Sequence, residues 1–407
     1  MLKKICLALT LSLGCAAGSL AAPATRPTAS TAALPASLPT NSEAAITDAA
    51  ARLILDCLTA YAQKTSDKDT QYYDKGIWVS SQQSKTWRHH LGPGGAAAAL
   101  WHYRYRNSSD TVTRNQLFHW AVETFDRAIA DHQRPDGSFG IPEEGPVTTF
   151  FVTDLANAYL HLREGLDAAT EQRWRSAILR GIDWLVSNGN LANGDKDGWY
   201  VNGNIELIEC EMLYCTWLIT GESKHKDMFE RQWQFTLHPP RPRWLGYGLV
   251  YTKEPTRGDG ADGAAYLAES NNGGAQAGYD GNYTIVQLET ACRLYLRSNC
   301  DPRFLRLPNL LINQLLPKMN KETWTLDARN GARRSHLLAF TSCAPAVLAW
   351  RGGRSDLAAD LPSQFGVMAK TFLAAATENW NHPNYYAGLA SNPAVILQAA
   401  ATARPSH

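Results

Sequence analysis

From residue 46 to residue 379, apolar residues recur every three or four positions in one segment after another. This spacing is typical of α-helices that bury one face. The segment 204–220 is apolar on most sides and stops at Gly221, which predicts a helix buried on most sides. The other predicted helices cover residues 46–64, 94–107, 111–132, 148–163, 168–188, 223–236, 282–297, 302–319, 333–351 and 355–379.

Helices that follow one another in this way predict an all-α fold built from hairpins. We predict a single-domain (α/α)6-like toroid, either incomplete or with about six to seven hairpins, in which inner helices line a cavity and outer helices surround them. A solenoid of the tetratricopeptide type is the alternative, but the sequence has no repeat of about 34 residues.

The first residues have the features of an export signal. Lys3 and Lys4 precede an apolar stretch, and Ser19 and Ala21 fit the small-residue cleavage pattern. We expect cleavage after Ala21; a lipoprotein cut before Cys15 is the alternative. The protein is therefore predicted to be periplasmic or secreted.

The signal features and the helical spacing together divide the chain into three predicted regions. Residues 1–21 are the predicted signal peptide, and residues 22–45, rich in Pro, Ala, Thr and Ser, are a predicted flexible leader. Residues 46–407 are the predicted toroid and catalytic domain.

Composition and motifs exclude several functions. Removing Lys3 and Lys4 with the signal changes the formal charge from +1 to −1, and no basic run remains to indicate nucleic-acid binding. No second apolar stretch is long enough to cross a bilayer. The chain also lacks a P-loop, an H-E-x-x-H and a G-x-S-x-G motif.

The cysteines allow two interpretations. Of the eight, Cys6 and Cys15 lie in the signal. An exported chain could pair Cys292 with Cys300, or Cys210 with Cys215, but buried free cysteines on helices are the alternative. Neither pair has metal-site spacing with a nearby histidine, so we expect no metal and no cofactor.

Polar residues cluster where the most apolar helix begins. Asn202, Glu206 and Glu209 are spaced to form one polar stripe, which predicts either a site that faces a cavity or a capped helix with Asn202 or Asn204 as the N-cap. Trp199, just upstream, is suited either to stacking on a sugar ring or to packing in the core.

Basic residues precede two other predicted helices. Cations are mildly unfavourable at the positive end of a helix dipole, so a functional role is the alternative to a structural one. These residues are Arg88, His89 and His90 before a glycine-rich turn, and Arg333, Arg334 and His336 further along.

Residues 237–281 interrupt the helical pattern with a long segment rich in Pro, Gly, Asn and aromatic residues. Segments of this length are usually functional or disordered, and the aromatic residues favour an ordered one. The segment ends in Tyr279-Asp-Gly-Asn-Tyr283, directly before a predicted helix.

This ending resembles the toroidal polysaccharide lyases of the chondroitin AC and hyaluronate lyase type. In those enzymes a D-G-S-aromatic stretch is followed by Y-x-G-x-Y, and here D-G-A-D-G precedes the two tyrosines. The stretch "DGWYVNGNIEL" is similar to their W-W-x-x-E-I-G helix start. The resemblance implies that Tyr283 is the catalytic acid and base, with Tyr279 and Asn282 beside the substrate.

The sequence also departs from that family. Glu269-Ser-Asn-Asn stands where those lyases carry a histidine, so His89, His90 or His336 would have to serve. Their C-terminal β-sandwich is missing as well, although the all-helical alginate- and glucuronan-type lyases are similar in using Asn, His, Tyr and Arg on a toroid alone.

The resemblance implies an exported lyase that cleaves an acidic, uronic-acid-containing polysaccharide by β-elimination without a cofactor. Removing the proton beside the carboxylate requires a base, and the carboxylate must be neutralised, a task predicted for Asn202, a histidine or a protonated acid. The predicted substrate contacts add Arg88, Arg333, Arg334, Trp199, Asn204 and Glu206. We expect a monomer.

Two other functions remain open. A glycoside hydrolase on the same toroid, including the unsaturated-uronyl type, would need two carboxylates, and Asp154 could pair with Glu206, Glu209 or Asp280. A non-catalytic glycan-binding protein would use the same aromatic residues without a proton carrier.

Overall fold

Twelve α-helices occur in the residues that the computed structural model describes, which are 40–65, 91–139, 145–188, 191, 202–238, 248–270, 277–329, 331–332, 337–377 and 388–405. They belong to one unit, Leu34–His407. In chain order the helices are α1 Glu43–Thr65, α2 Leu91–Leu100, α3 Thr111–His132, α4 Gly145–Leu162, α5 Ala168–Ser187, α6 Gly203–Thr220, α7 Ser223–Leu237, α8 Gly281–Arg297, α9 Arg306–Leu315, α10 Ala344–Arg351, α11 Leu361–Thr377 and α12 Pro393–Ala401.

Six helices form a closed inner ring. Each of α2, α4, α6, α8, α10 and α12 contacts the next, and α12 contacts α2. On the outside, α3, α5, α7 and α9 pack on the inner helix that precedes them, and α1 packs on α12 and α11. The predicted all-α toroid is confirmed. Because hairpins alternate inner and outer helices, all inner helices run in the same direction and start on one face.

Local sequence explains where the helices begin and end. Asp110, Asp167 and Asp280 cap α3, α5 and α8, each accepting a hydrogen bond from a backbone N–H in the first turn. Helix α6 ends at Gly221, whose φ of 69° is the left-handed conformation that glycine adopts without strain. As predicted, α6 is buried on nearly every side.

Short strands fill two connections on the face where the inner helices start. Between α7 and α8, β1 (Leu249–Lys253) pairs with β2 (Ala264–Leu267), and β3 (Glu269–Ser270) pairs with β4 (Ala277–Gly278), all antiparallel. Between α9 and α10 lies a three-stranded antiparallel sheet of β5 Met319–Asn320, β6 Thr325–Asp327 and β7 Leu337–Ala339.

The predicted helix over 333–351 is wrong in its first half. Leu337–Ala339 is strand β7, and α10 begins only at Ala344. Pro345 explains the late start, because proline is favoured in the first turn of a helix and breaks a helix interior.

The six cysteines of the described residues, Cys57, Cys210, Cys215, Cys292, Cys300 and Cys343, are all buried and free. The candidate disulfides Cys292–Cys300 and Cys210–Cys215 are therefore not formed. The alternative of buried free thiols is confirmed, and four of the six, Cys57, Cys210, Cys215 and Cys292, lie on helices. No helix in the described part of the chain combines the length and the apolar character that a bilayer span requires.

Candidate active site

The starts of α6 and α8 bring together most of the predicted site residues that the structure describes. The two helices are neighbours in the inner ring. Asn202, Asn204 and Glu206 lie at the start of α6, and Asn282 and Tyr283 lie in the first turn of α8.

Glu269 connects these two helix starts. One carboxylate oxygen, Oε1, accepts hydrogen bonds from the backbone N–H of Asn204 and from Nε2 of Gln287, each at 2.8 Å. The side chain is fully buried. A carboxylate at the first turn of α6 is stabilised by the unpaired N–H groups and the positive end of the helix dipole. Glu269 therefore caps α6 from a strand more than sixty residues away along the chain.

The predicted N-cap assignment needs correction. Asn202 occupies the N-cap position of α6, but its side chain makes no capping hydrogen bond. The main chain enters α6 tightly, because Gly203 N–H donates to the carbonyl of Ala268 and a Cβ on Gly203 would lie 2.4 Å from Leu267 Cβ. This close approach places β3 against the helix start and leaves Glu269 to provide the cap.

Glu206 is a carboxyl group held in its neutral form. Burial, with a further contribution from the negative charge of Glu269, raises the pKa of Glu206 to about 8. The side chain is only 3% exposed, and its Oε1 has no hydrogen-bond partner among the described residues. A protonated carboxyl with an unused oxygen can donate a hydrogen bond to an anionic group.

The two asparagines add further polar atoms at the same helix start. Asn202 and Asn204 are 1% and 3% exposed. Asn204 Oδ1 has no hydrogen-bond partner in the part of the chain that the structure describes. A buried polar atom left unpaired costs free energy unless water or a ligand completes it, so it indicates a binding site.

Tyr283 lies on the face of α8 that meets Glu269. Asp280 accepts a hydrogen bond from the Tyr283 backbone N–H at 3.0 Å and so fixes the first turn of the helix. Gln287, which contacts Glu269, follows Tyr283 by one turn, and residues four apart share a helix face. Tyr283 is half-buried.

Tyr279 has different surroundings. Its ring packs edge-on against Tyr266, with centroids 5.4 Å apart, and Lys318 Nζ lies 3.5 Å from its ring centre. Burial, with the nearby charges of Asp280 and Asp327, raises the pKa of Tyr279 well above its ordinary value. A phenol held neutral in this way is a poor base, which argues against Tyr279 as the proton carrier.

Glu209 does not join the site. Its Oε2 accepts a hydrogen bond from Nε2 of Gln232 on the outer helix α7, at 3.0 Å. The predicted stripe of Asn202, Glu206 and Glu209 is therefore divided between a helix start and an interface between helices.

Asp154 lines a separate cavity of about 70 Å³ inside the ring. Asn157 and His161 of α4 and Arg293 and Arg297 of α8 line the same space, and Asp154 is the one carboxylate among the described residues that do so. Glu211 holds Arg293 through two hydrogen bonds of 2.7 and 2.8 Å. The cavity does not bring Asp154 together with Glu206, Glu209 or Asp280.

Seven predicted site residues lie outside the described residues: Arg88, His89, His90, Trp199, Arg333, Arg334 and His336. Their placement stays a prediction. Within the described ranges, no group of three or more His, Cys, Asp or Glu side chains is arranged to hold a metal ion.

Sequence reasoning missed Glu269 and Gln287 as parts of the site. Glu269 stood out only as the residue found where the similar lyases have a histidine. Gln287 had one available signal, because it lies one helical turn after Tyr283.

The Glu269 cap predicts a specific stability pattern. Glu269→Ala should lower the free energy of unfolding by about 3 kcal/mol, since the Asn204 N–H and the Gln287 amide lose a buried acceptor. Glu269→Gln keeps an acceptor oxygen and should cost about half as much. Urea unfolding measures both, with the exposed Glu222→Ala as control; equal stability of the Glu269→Ala and Glu222→Ala proteins would contradict the capping role.

Comparisons with known proteins assign neither a family nor an activity to this chain. No family model matches the chain, and no curated protein matches it significantly. An unsaturated glucuronyl hydrolase from Streptococcus agalactiae matches at 13% identity and a TM-score of 0.44, over 81% of this chain and 80% of that one. A family 76 glycoside hydrolase from a bovine Bacteroides thetaiotaomicron strain matches at 14% identity and a TM-score of 0.42, over 87% of this chain and 76% of that one.

A xanthan lyase from Paenibacillus matches at 13% identity and a TM-score of 0.44, over 87% of this chain and 31% of that one. At these values the likeness assigns no activity to this chain, so a function has to be argued from the site.

Proposed function

We propose that this protein is an exported polysaccharide lyase that cleaves a uronic-acid-containing polymer by β-elimination. The observation that carries the proposal is the neutral, buried carboxyl of Glu206 beside the helix start that presents Tyr283. A lyase of this kind needs a proton carrier and a neutral hydrogen-bond donor for the substrate carboxylate, and this site offers both.

The reaction assigns a role to each group. Tyr283, in its ionised form, accepts the C5 proton of the uronic acid at its phenol oxygen. The electron pair of that C–H bond forms the C4–C5 double bond, the C4–O bond breaks, and Tyr283 returns the proton to the departing oxygen. No water is consumed.

Glu206, Asn202 and Asn204 are proposed to bind the substrate carboxylate. When the C5 proton leaves, negative charge spreads onto that carboxylate, and a neutral donor stabilises it more than an ionised acid would. The histidine that the sequence resemblance requires is proposed to be His89, His90 or His336.

A glycoside hydrolase is the second candidate, and one observation favours it. Glu206 and Glu269 form a pair in which one carboxyl is neutral and the other accepts hydrogen bonds, which is how an acid and a base divide their roles in a hydrolase. Both carboxyl groups of such a pair would need to reach a glycosidic bond or a water, whereas the Glu269 carboxylate already accepts the Asn204 N–H and the Gln287 amide as the cap of α6.

The Asp154→Asn variant tests the original hydrolase assignment. We expect its rate of polymer cleavage to stay within about threefold of the wild type, because Asp154 lies in the internal cavity and has no part in the proposed elimination. A hydrolase with Asp154 as its acid or base would lose about a thousandfold. Initial rates of both proteins on the same polymer decide between these outcomes.

The proposed activity is tested by following ultraviolet absorbance while the purified mature protein is incubated with acidic polymers. The panel contains alginate, polymannuronate, glucuronan, hyaluronan, chondroitin and heparan. Elimination creates a double bond conjugated with the carboxylate, so absorbance rises with each cleavage. New reducing ends without an absorbance change would instead favour the hydrolase.

A further inference from the structure

A polar groove lies next to the candidate active site, on the side of Tyr279. Its volume is about 630 Å³, within the range of ligand-binding clefts. Tyr279 forms one wall, Lys318 and Asn320 from the start of the three-stranded sheet form the second, and Asp327 and Arg329 form the third.

Backbone contacts tie this groove to the active site. Gly278, just before Tyr279, pairs with Glu269 across the β3–β4 ladder. The carbonyl of Tyr279 accepts a hydrogen bond from Ala332 N–H at 2.9 Å. Ala328 packs against Gly281, the first residue of α8, closely enough that an added Cβ would lie 3.0 Å away. The groove therefore begins within one helical turn of Tyr283.

The groove has a net positive charge. Arg329 and Asp327 neutralise each other through two hydrogen bonds of 2.9 and 2.7 Å. Lys318 forms no salt bridge within the described residues, and the Tyr279 ring holds its ammonium group in place. Of the three charged side chains described in the groove, Lys318, Asp327 and Arg329, only Lys318 lacks a salt bridge among the described residues.

The surroundings of Lys318 favour an anionic ligand over a neutral one. Burial lowers the pKa of Lys318, with the charge of Asp327 acting against this effect. Lys318 stays exposed to solvent, and a carboxylate placed beside its ammonium would offset the partial loss of hydration. The exposed side chains of Asn320 and Arg329 can donate further hydrogen bonds to sugar hydroxyls or to an acidic group.

We propose that this groove is a subsite that binds the carboxylate of a second acidic sugar, next to the one that is cleaved. This inference rests on the proposed function, because it takes the neighbouring Tyr283 site to be where the polymer is cut. The groove would then select chains in which uronic acids recur, and Lys318 would add to the discrimination between acidic and neutral polymers.

Direct binding tests the groove without relying on turnover. Tetrasaccharides of hyaluronan, glucuronan and alginate are titrated calorimetrically into the Tyr283→Phe protein, with neutral cellotetraose for comparison. Adding Lys318→Ala should weaken binding of the best acidic probe by about two- to fivefold, the value of one solvent-exposed charge contact. Lys318→Arg should restore most of the affinity, and added salt should reduce the difference.

Lys226→Ala provides the matched control. Lys226 also lies over an aromatic ring, with Nζ 5.2 Å from the centre of Trp217, but it is on α7 and away from the groove. Its replacement should leave binding unchanged. The proposal is wrong if Lys318→Ala binds acidic probes as well as its parent, if it weakens cellotetraose equally, or if no acidic probe binds the parent at all.

The binding experiment and the absorbance assay test the groove and the proposed function separately. Cleavage with an absorbance rise but no effect of Lys318 would overturn the groove alone. Binding that depends on Lys318, with no absorbance rise on any polymer, would overturn the elimination and leave an acidic-glycan site.

Discussion

Replacing Tyr283 with phenylalanine is expected to lower kcat for polymer cleavage by about a thousandfold, the usual contribution of a positioned proton carrier. The variant should fold normally, because the first turn of α8 is fixed by the backbone N–H of residue 283 and by Asp280, neither of which the substitution removes. Initial rates and circular dichroism measure the two effects.

Tyr214→Phe is the matched control for this experiment. Tyr214 has the same chemistry, but it lies in the second half of α6, where its ring packs edge-on against Phe229 and Phe304 in the core. Removing its hydroxyl should change kcat by less than about threefold. If the two variants lost activity equally, the assignment of Tyr283 as the proton carrier would be wrong.

The second large effect that we expect is a dependence of activity on pH, caused by the ionisation of Glu206. Elimination should fail as the pH rises through about 8, the pKa of Glu206, because the ionised carboxylate would repel the substrate carboxylate. Glu206→Gln keeps a neutral donor, so it should retain activity within about tenfold and lose this alkaline decline. Glu206→Ala should lose about a hundredfold or more at every pH, as expected for a missing donor.

The same group makes folding stability depend on pH. The folded protein keeps the Glu206 proton up to about pH 8, whereas the unfolded chain releases it near the ordinary value of 4.5. Stability therefore falls as the pH rises between these values, by about 5 kcal/mol. Glu206→Gln should remove its share of that slope in urea unfolding and leave the share of Glu289, whose pKa burial also raises to about 8. An unchanged slope would show that Glu206 is already ionised at neutral pH.

The fold was largely predictable from the sequence because its helices are amphipathic or buried in patterns that repeat locally. The spacing of apolar residues located α4, α5 and α6 closely, and Gly221 marked the end of α6. The start of α10 was missed because strand β7 is stabilised by pairing with β6, a contact that local spacing does not record.

The candidate site was predictable only in part, because some of its properties also depend on contacts between residues far apart in the sequence. Asn202 and Glu206 were predicted from their place at a helix start, where polar side chains need an explanation, and Tyr283 from the lyase-like Y-x-G-x-Y pattern; their roles remain predictions. The role of Glu269 depends on a hydrogen bond to Asn204 across the fold, and the neutral state of Glu206 depends on Glu269. Such properties arise from burial and from long-range contacts, so no local motif carries them.

The mass of the cleavage products is the most direct test of the central claim, which is that this site eliminates rather than hydrolyses. The wild-type protein is incubated with whichever acidic polymer it shortens, and the new non-reducing ends are examined by mass spectrometry. We predict fragments that are one water lighter than the corresponding hydrolysis products, with an unsaturated uronic acid at that end. Fragments that contain the full added water would contradict the account and assign the carboxyl pair of Glu206 and Glu269 to hydrolysis.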